Sequence, residues 1–185
     1  MKRLILLSLG VLLLPVFSPA QQAHSPDLWG QYKFLLGKWT ADATGEPGEG
    51  KGFFSFAVEL QGKILVRRGH TDFPATPQRA AFSHEDLLVV YAEPGASDRR
   101  ATYFDSEGHV IQYHTKFEEQ GKVLIFTSDP APGSPSFRLT YRQGDSGVMK
   151  VNFAIAPPGK PEALTTHVEG MAHRTEPGAR SQKSE

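Results

Sequence analysis

Five polar residues flank the longest irregular segment of the sequence and form its first candidate for a chemical site. The segment runs from Phe73 to Ser83, and its flanking residues are His70, Asp72, His84, Glu85 and Asp86. Imidazole and carboxylate groups within hydrogen-bond reach exchange protons, so a pocket that gathers His70, His84 and Asp86 could support acid–base catalysis. The alternative is that a proline-rich connection simply carries solvated polar residues at its ends. The length of the connection would nevertheless suit a lid or portal.

The spacing of the other histidines does not predict a metal site. Such a site needs three or four converging ligands. His167 and His173 share a face of one predicted strand but lie about 20 Å apart, at ~3.3 Å per residue, and His109 and His114 point to opposite faces. The common hydrolase and nucleotide-binding motifs are also missing from the sequence. We therefore predict no metal and assign no catalytic residue.

Composition and charge exclude several classes of protein. The 185 residues carry 20 basic and 20 acidic side chains, and Arg67-Arg68 and Arg99-Arg100 are isolated pairs, so no basic patch predicts a nucleic-acid partner. There is no cysteine, which excludes disulfides and a lipid-attachment cysteine. Stability must therefore come from a packed core, and the length is suited to one domain.

The two ends of the sequence predict export and a polar tail. Lys2 and Arg3 precede an apolar run that is too short to span a membrane, and small residues up to Ala20 offer a cleavage site. We predict a signal peptide over residues 1–20, an exported protein that is periplasmic or secreted, and no transmembrane segment in the mature chain. The tail, residues 176–185, lacks large apolar residues and is predicted to be disordered.

The elements that must position these residues are predicted to be strands. Leu28, Tyr32 and Leu35 have helical spacing and predict a short plug, but after Trp39 the apolar pattern has a period of two. The domain is predicted over residues 27–175, as an all-β, antiparallel up-and-down barrel, with a β-sandwich as the alternative. Ten strands are predicted at 37–44, 52–60, 63–72, 84–92, 99–106, 109–117, 122–128, 135–143, 147–156 and 163–174.

Two short turns assign inward and outward faces. A two-residue turn at Gln61-Gly62 would place Phe56 opposite Arg67, so that an arginine enters an apolar interior and needs a carboxylate partner. A register shifted by one residue would place Arg68 and His70 inside instead. A two-residue turn at Glu107-Gly108 would place Phe104 opposite Ile111 and Thr102 opposite Tyr113 on the inward face, with Ala101 and Tyr103 outside.

The opening of the domain resembles the calycin superfamily. The motif Leu35-Leu36-Gly37-Lys38-Trp39 follows a short helix-like segment and is similar to the Gly-x-Trp start of lipocalins. The resemblance implies that Trp39 closes one end of the barrel and that Arg174, late in the last strand, braces it. Residues 101–111 (ATYFDSEGHVI) resemble ten-stranded bacterial lipocalin-like domains of uncharacterised function.

The same motif is also similar to the opening of nitrobindin-like haem barrels. In that family a histidine on the last strand ligates haem, and His167 holds the corresponding position here. The residues after Trp39 read Thr40-Ala41-Asp42-Ala43-Thr44, where that family has a glycine-rich continuation. Haem is therefore an alternative expectation that rests on His167, and no other cofactor is predicted.

We predict from the sequence a protein that holds a small apolar or amphipathic molecule inside a barrel. Arg67 would meet any anionic group of that molecule. The alternatives are an enzyme with a polar site near His70, His84 and Asp86, the haem protein, and a structural envelope protein with a closed core. The oligomeric state stays open. The residues predicted to line the ligand site are Phe54, Phe56, Leu65, Arg67, Phe104, Ile111, Tyr113 and Phe153.

Overall fold

The structure is a computed structural model that describes residues 27–96 and 98–175. The predicted signal peptide, residues 1–20, and the predicted disordered tail, residues 176–185, lie outside the described residues. Both therefore stay predictions. Within the described ranges, no helix has the length and apolar character needed to span a membrane.

The described residues form ten antiparallel strands that close into one barrel, in which each strand pairs with its neighbours in sequence and β1 also pairs with β10. The prediction of an all-β, ten-stranded, up-and-down barrel is confirmed, and the sandwich alternative is wrong. The strands are β1 (Gly37–Gly45), β2 (Gly50–Glu59), β3 (Ile64–Phe73), β4 (Phe82–Ala92), β5 (Arg99–Asp105), β6 (Val110–Glu118), β7 (Val123–Ser128), β8 (Ser136–Gln143), β9 (Val148–Ala156) and β10 (Thr165–Arg174).

One end of the barrel is closed by a short 3-10 helix, Gly30–Leu35, which we call the plug. The indole of Trp39 is buried below it and donates a hydrogen bond to the Leu35 carbonyl oxygen at 2.8 Å. The guanidinium of Arg174 lies 4.3 Å from the centre of the Trp39 ring and donates to the carbonyl oxygens of Phe34 and Leu36. Trp39 and Arg174 therefore hold the positions that the Gly-x-Trp resemblance implied.

The register between β2 and β3 agrees with the prediction. Phe56 lies opposite Arg67, and Phe54 lies opposite Gly69. Arg67 therefore enters the barrel, and the alternative register that places Arg68 and His70 inside is wrong. Burial follows from this alternation, since inward-facing Leu65 is fully buried whereas outward-facing Arg68 is exposed.

The register predicted between β5 and β6 is wrong by one residue. Phe104 lies opposite Val110 rather than Ile111, and the inward pairs are Ala101 with Tyr113 and Tyr103 with Ile111. The physical reason lies in the turn. The Asp105 carboxylate accepts the backbone N–H groups of Glu107 and His109 at 3.0 and 2.9 Å, and Gly108 adopts a positive φ of 89°. These bonds stabilise a turn that is one residue longer than predicted.

Aromatic and aliphatic side chains fill the half of the barrel next to the plug. The rings of Phe54, Phe56 and Phe126 lie edge-on to Tyr141, with centroids 5.4–6.2 Å apart. All four side chains are buried. The opposite end, which we call the mouth, is formed by the connections 45–50, 73–82, 105–110, 128–136 and 156–165. Any site inside the barrel that solvent can reach must therefore lie toward the mouth.

Candidate functional site

A buried ion pair lies between the packed core and the mouth. The Arg67 guanidinium contacts the Asp86 carboxylate, and the two side chains are only 13% and 6% exposed. The same guanidinium lies 4.9 Å from the centre of the Phe54 ring. The predicted need of Arg67 for a carboxylate partner is thus met by Asp86, because an unpaired charge in this interior would be strongly unfavourable.

Gly69 makes room for this ion pair. It faces inward between Phe54 on β2 and Asp86 on β4. A Cβ atom at this position would lie 2.7 Å from Arg67 Nη1 and would also meet the Asp86 carboxylate. Because residue 69 has no side chain, the Arg67 guanidinium and the Asp86 carboxylate can meet in the space beside it.

His84 and Tyr103 continue the polar side of the interior toward the mouth. His84 Nε2 lies 3.1 Å from the Tyr103 hydroxyl and 4.0 Å from Asp86 Oδ2. Burial raises the pKa of Tyr103 well above its ordinary value, although the positive charge of Arg67 acts in the opposite direction. Tyr103 therefore keeps its proton at neutral pH and offers a hydroxyl group on this wall.

Other inward-facing side chains near the mouth are apolar. Phe137 stacks on Phe153 with ring centres 5.9 Å apart, and Phe153 lies opposite Val168 across β9 and β10. These side chains and that of Ile111 face inward but are only partly buried, in contrast to the fully buried residues near the plug. The inner wall at the mouth therefore carries apolar side chains on β6 and β8–β10 and the polar groups of His84 and Tyr103 on β4 and β5, where Ile111 lies directly beside Tyr103.

The connection from β3 to β4 packs against the rim of the mouth. Phe73 and Phe82 stack with ring centres 4.7 Å apart, and the Arg79 guanidinium lies 4.2 Å from the Phe82 ring centre. Arg79 also donates to the Pro47 carbonyl oxygen at 2.5 Å. Arg79 thus ties this connection to the turn between β1 and β2, at the position where the sequence suggested a lid or portal.

His70 does not join His84 and Asp86, so the predicted convergence of these three residues is wrong. His70 lies opposite Glu85 and points outward, whereas His84 and Asp86 point inward. Its two ring nitrogens lie 3.0 Å from Asp72 and 3.4 Å from Glu85. The strand period of two separates the residues, and the acid–base site predicted from them is not assembled.

The residues predicted to line a ligand site fall into three groups. Phe104 points outward and is 40% exposed, so its predicted inward orientation is wrong. The one-residue shift in the register between β5 and β6 places it on the outer face. Ile111 and Phe153 face the mouth, with Arg67 below them. The remaining four pack within the core near the plug, and a ligand contact from them stays a prediction: Phe54, Phe56, Leu65 and Tyr113.

A group of possible metal ligands that the sequence did not predict lies at the rim of the mouth. One ring nitrogen of His84 and one oxygen each from Asp105 and Glu107 all lie within 4.8 Å of one another. Burial alone would raise the pKa of Asp105, but hydrogen bonds from His109 and Glu107 hold it below its ordinary value. The longer β5–β6 turn brings Asp105 opposite Asp86 and so creates this group.

His167, the candidate haem ligand, lies in an irregularity of β10 beside the mouth. Its Nδ1 atom lies 3.0 Å from Glu46 Oε2, and its ring packs edge-on against Phe153. A carboxylate on one ring nitrogen is the usual partner of a metal-ligating histidine, and it leaves Nε2 available. This arrangement of donors is suited to a histidine that would ligate haem iron through Nε2.

A separate groove of about 390 Å³ lies at the plug end, opposite to the mouth. It is open to solvent and is lined mainly by polar and charged side chains, among them Asp27, Arg99 and Lys116. Ligand pockets are usually concave, mostly apolar and only sparsely polar. We therefore place the candidate site at the mouth and assign no function to this groove.

Comparison with known proteins identifies the fold and gives no family. No family model matches the sequence, and no curated protein matches it. Among solved structures, the barrel is similar to the crystal structure of Rv2717c from M. tuberculosis, with a TM-score of 0.59 and 16% identity over 82% of this chain and 99% of that chain. At this identity the likeness shows the fold alone.

Two further solved structures show weaker similarity. One is a de novo designed fluorescence-activating β-barrel, with a TM-score of 0.39 and 10% identity over 77% of this chain and 95% of that chain. The other is EF1p2_mFAP2b bound to DFHBI, with a TM-score of 0.36 and 12% identity over 78% of this chain and 97% of that chain. Neither similarity carries a functional argument.

Proposed function

We propose that this protein binds a small amphipathic molecule at the mouth of the barrel. The observation that carries the proposal is the mixed inner wall there, where the apolar side chains of Phe137, Phe153 and Ile111 share the interior with the polar groups of His84 and Tyr103. A ligand that contacts both kinds of group would bury apolar surface and form a small number of directed hydrogen bonds, which is the usual composition of a small-molecule site.

The ion pair narrows the chemistry of the proposed ligand. Because Asp86 already neutralises Arg67, an anionic group would find no spare positive charge at this level of the interior. Below the rim, the inner wall offers the Tyr103 hydroxyl and the His84 imidazole, which both donate and accept hydrogen bonds. We therefore propose a neutral ligand with an apolar body and hydrogen-bonding groups, in place of the anion that the sequence suggested for Arg67.

The proposal includes a lipocalin-like assignment within the calycins and export from the cell. The assignment is supported by Trp39 and Arg174 at the closed end and by the up-and-down topology. Export is supported by the sequence of residues 1–20, which has a basic start, an apolar run and small residues before a cleavage site. Sequencing of the N-terminus of the secreted or periplasmic protein tests export directly, since cleavage after Ala20 is expected.

Nile red is a suitable probe because it is neutral and fluoresces strongly when it leaves water for an apolar site. We expect saturable binding, and Phe153→Ala should raise the Kd about tenfold or more, since loss of contact with one buried phenyl ring costs about 1.5–3 kcal/mol. Phe104→Ala is the matched control, because it removes the same side chain from the outer face. It should leave the Kd unchanged.

Two results would contradict small-molecule binding at the mouth. The first is the absence of saturable Nile red fluorescence together with native mass spectra that show no bound small molecule, which is the behaviour expected of a structural protein with a filled interior. The second is an equal rise in Kd for Phe104→Ala and Phe153→Ala, which would place the dye outside the barrel.

Haem binding is a second candidate function, and the contact between His167 and Glu46 is the observation that favours it. Bound haem would supply redox and gas-binding chemistry, while His167 would hold the iron through Nε2 and Glu46 would orient the imidazole ring. Titration with hemin should then give a stoichiometric shift of the Soret band that His167→Ala abolishes. His173→Ala, on the same strand, is the control, and an unshifted band in the unaltered protein would exclude haem.

A further inference from the structure

The group of residues at the rim of the mouth has the dimensions of a metal site. His84 Nδ1 lies 3.1 and 3.2 Å from the two carboxylate oxygens of Glu107. In a tetrahedral site with metal–ligand bonds of about 2.0–2.2 Å, neighbouring ligand atoms lie about 3.3–3.6 Å apart. Asp105 supplies the third ligand atom, within 4.8 Å of the other two. The Glu107 side chain is 45% exposed, so its carboxylate has room to turn toward an ion bound by His84 and Asp105.

These ligands come from separate parts of the chain and are positioned by their surroundings. His84 lies on β4, Asp105 ends β5, and Glu107 lies in the turn that follows. The bond from the Glu107 backbone N–H to Asp105 holds that turn over His84. His84 Nε2 contacts the Tyr103 hydroxyl at 3.1 Å, which is the type of outer contact that orients a metal-ligating imidazole. The turn and Tyr103 thus position Asp105 and the His84 ring before any ion binds.

The charges around the ligands also favour a cation. Asp86 lies directly across the sheet from Asp105, and its Oδ2 atom lies 4.0 Å from His84 Nε2. His109 lies on the outer side, where its Nδ1 atom is 2.8 Å from Asp105 Oδ2 and 3.9 Å from Glu107 Oε2. The charge of Asp86 is balanced by Arg67, so the negative potential that attracts a divalent ion to this rim comes from the carboxylates of Asp105 and Glu107.

A second histidine with two carboxylates shows what is special about this arrangement. His70 contacts Asp72 through Nε2 and Glu85 through Nδ1, so its two carboxylates lie on different sides of the ring. No single ion could therefore bind His70 together with both carboxylates. At His84, by contrast, Glu107 and Asp105 converge with one ring nitrogen. His70 thus provides a matched control within the same molecule.

We propose that His84, Asp105 and Glu107 bind a divalent transition-metal ion, of which Zn²⁺ and Mn²⁺ best suit one imidazole and two carboxylates. Three protein ligands leave at least one coordination position open toward the mouth, where water or a ligand atom binds. The proposal goes beyond small-molecule binding and does not depend on it: His84 belongs to both proposed sites, but none of the apolar residues of the mouth is a metal ligand.

The test is a titration of the purified, chelator-treated protein with ZnCl₂, followed by calorimetry, and with MnCl₂, followed by loss of the free Mn²⁺ electron paramagnetic resonance signal. We expect one saturable site. His84→Gln and Glu107→Gln should each weaken binding at least about tenfold, because each removes one of three ligands. His70→Gln should stay within about twofold of the unaltered protein, because its carboxylates do not converge.

Absence of saturable binding of both ions at millimolar concentration would overturn the proposal. Unchanged affinity in Glu107→Gln would also overturn it, and so would an equal loss of affinity in His70→Gln. Glu107 is half exposed, so Glu107→Gln is expected to fold. If His84→Gln does not fold, Glu107→Gln still tests the proposal. Phe153→Ala separates the two proposed sites, since it should weaken Nile red binding and leave Zn²⁺ affinity unchanged.

Discussion

The buried pair of Arg67 and Asp86 allows a sharp test of how this interior is stabilised. Asp86→Leu removes the carboxylate and leaves the Arg67 guanidinium uncompensated at 13% exposure. Arg67→Met removes the guanidinium and leaves the Asp86 carboxylate, which is 6% exposed, without a compensating charge. The double variant removes both charges and replaces them with apolar side chains of similar length. A comparison of the four proteins measures how strongly the two residues depend on each other.

The expected magnitudes follow from the burial of the pair. Loss of one partner of a buried pair costs about 3–5 kcal/mol, whereas its replacement by apolar residues is often neutral or stabilising. Arg67→Met also removes the contact with the Phe54 ring, which contributes about 0.5–2 kcal/mol. We therefore expect each single variant to lose about 3–5 kcal/mol of unfolding free energy and the double variant to lose less than about 2 kcal/mol.

Urea unfolding, followed by tryptophan fluorescence, measures these differences. Arg68→Met is the control, because the neighbouring guanidinium contacts Glu59 on the outer face at 2.5 Å and is 58% exposed. It should cost less than about 1 kcal/mol. The reasoning is refuted if Asp86→Leu costs no more than Arg68→Met, or if the losses of Arg67→Met and Asp86→Leu simply add in the double variant.

Three further perturbations test other parts of the structure. Gly69→Ala should lower the unfolding free energy by about 1–3 kcal/mol, because its Cβ would meet the buried ion pair; an unchanged urea midpoint would contradict this. Arg174→Ala should speed deuterium exchange in the plug, because it frees the Phe34 and Leu36 carbonyl oxygens; identical exchange rates would argue against a brace. The hydrogen bond from Arg100 lowers the pKa of Asp129, so its stabilising effect is present at neutral pH and is lost as the pH falls through that lowered pKa. Asp129→Asn should therefore lose less stability than the unaltered protein between about pH 5 and pH 2, and parallel thermal unfolding profiles would refute this.

The sequence is sufficient to predict the barrel because its apolar pattern changes only at the turns. Phe54, Phe56 and Val58 alternate with polar or small residues up to Gly62, so one register places them all on the same face, and that register is correct. Around residues 104–111, however, both faces carry an aromatic ring. Phe104 and Tyr103 are then equally acceptable as inward residues, and the periodicity contains no information to choose between them.

The site depends on a detail that periodicity does not contain, namely the length of one turn. The Asp105 side chain captures two backbone N–H groups, and this lengthens the turn and moves Asp105 to the inner face. His84 then meets Asp105 and Glu107, and this group cannot be predicted while Asp105 is assigned to the outer face. A conformational preference of Asp-x-x-Gly turns is the available signal. The grouping of His70 with His84 is wrong because their positions in the sequence do not determine how β3 and β4 pair. The observed pairing places His70 on the outer face and His84 on the inner face.

The pairing of β1 with β10 also determines how the barrel assembles. Every other strand pair of the described barrel joins strands that are consecutive in the chain, whereas this one joins its first strand to its last. Glycines bring the two backbones close, since a Cβ on Gly170 would lie 2.6 Å from the Asp42 carbonyl oxygen. Hairpins can form early and locally, but this closure must overcome the loop entropy of nearly the whole domain. We expect closure to set the folding rate, so that a substitution at Gly170 slows folding while one at the mouth mainly speeds unfolding.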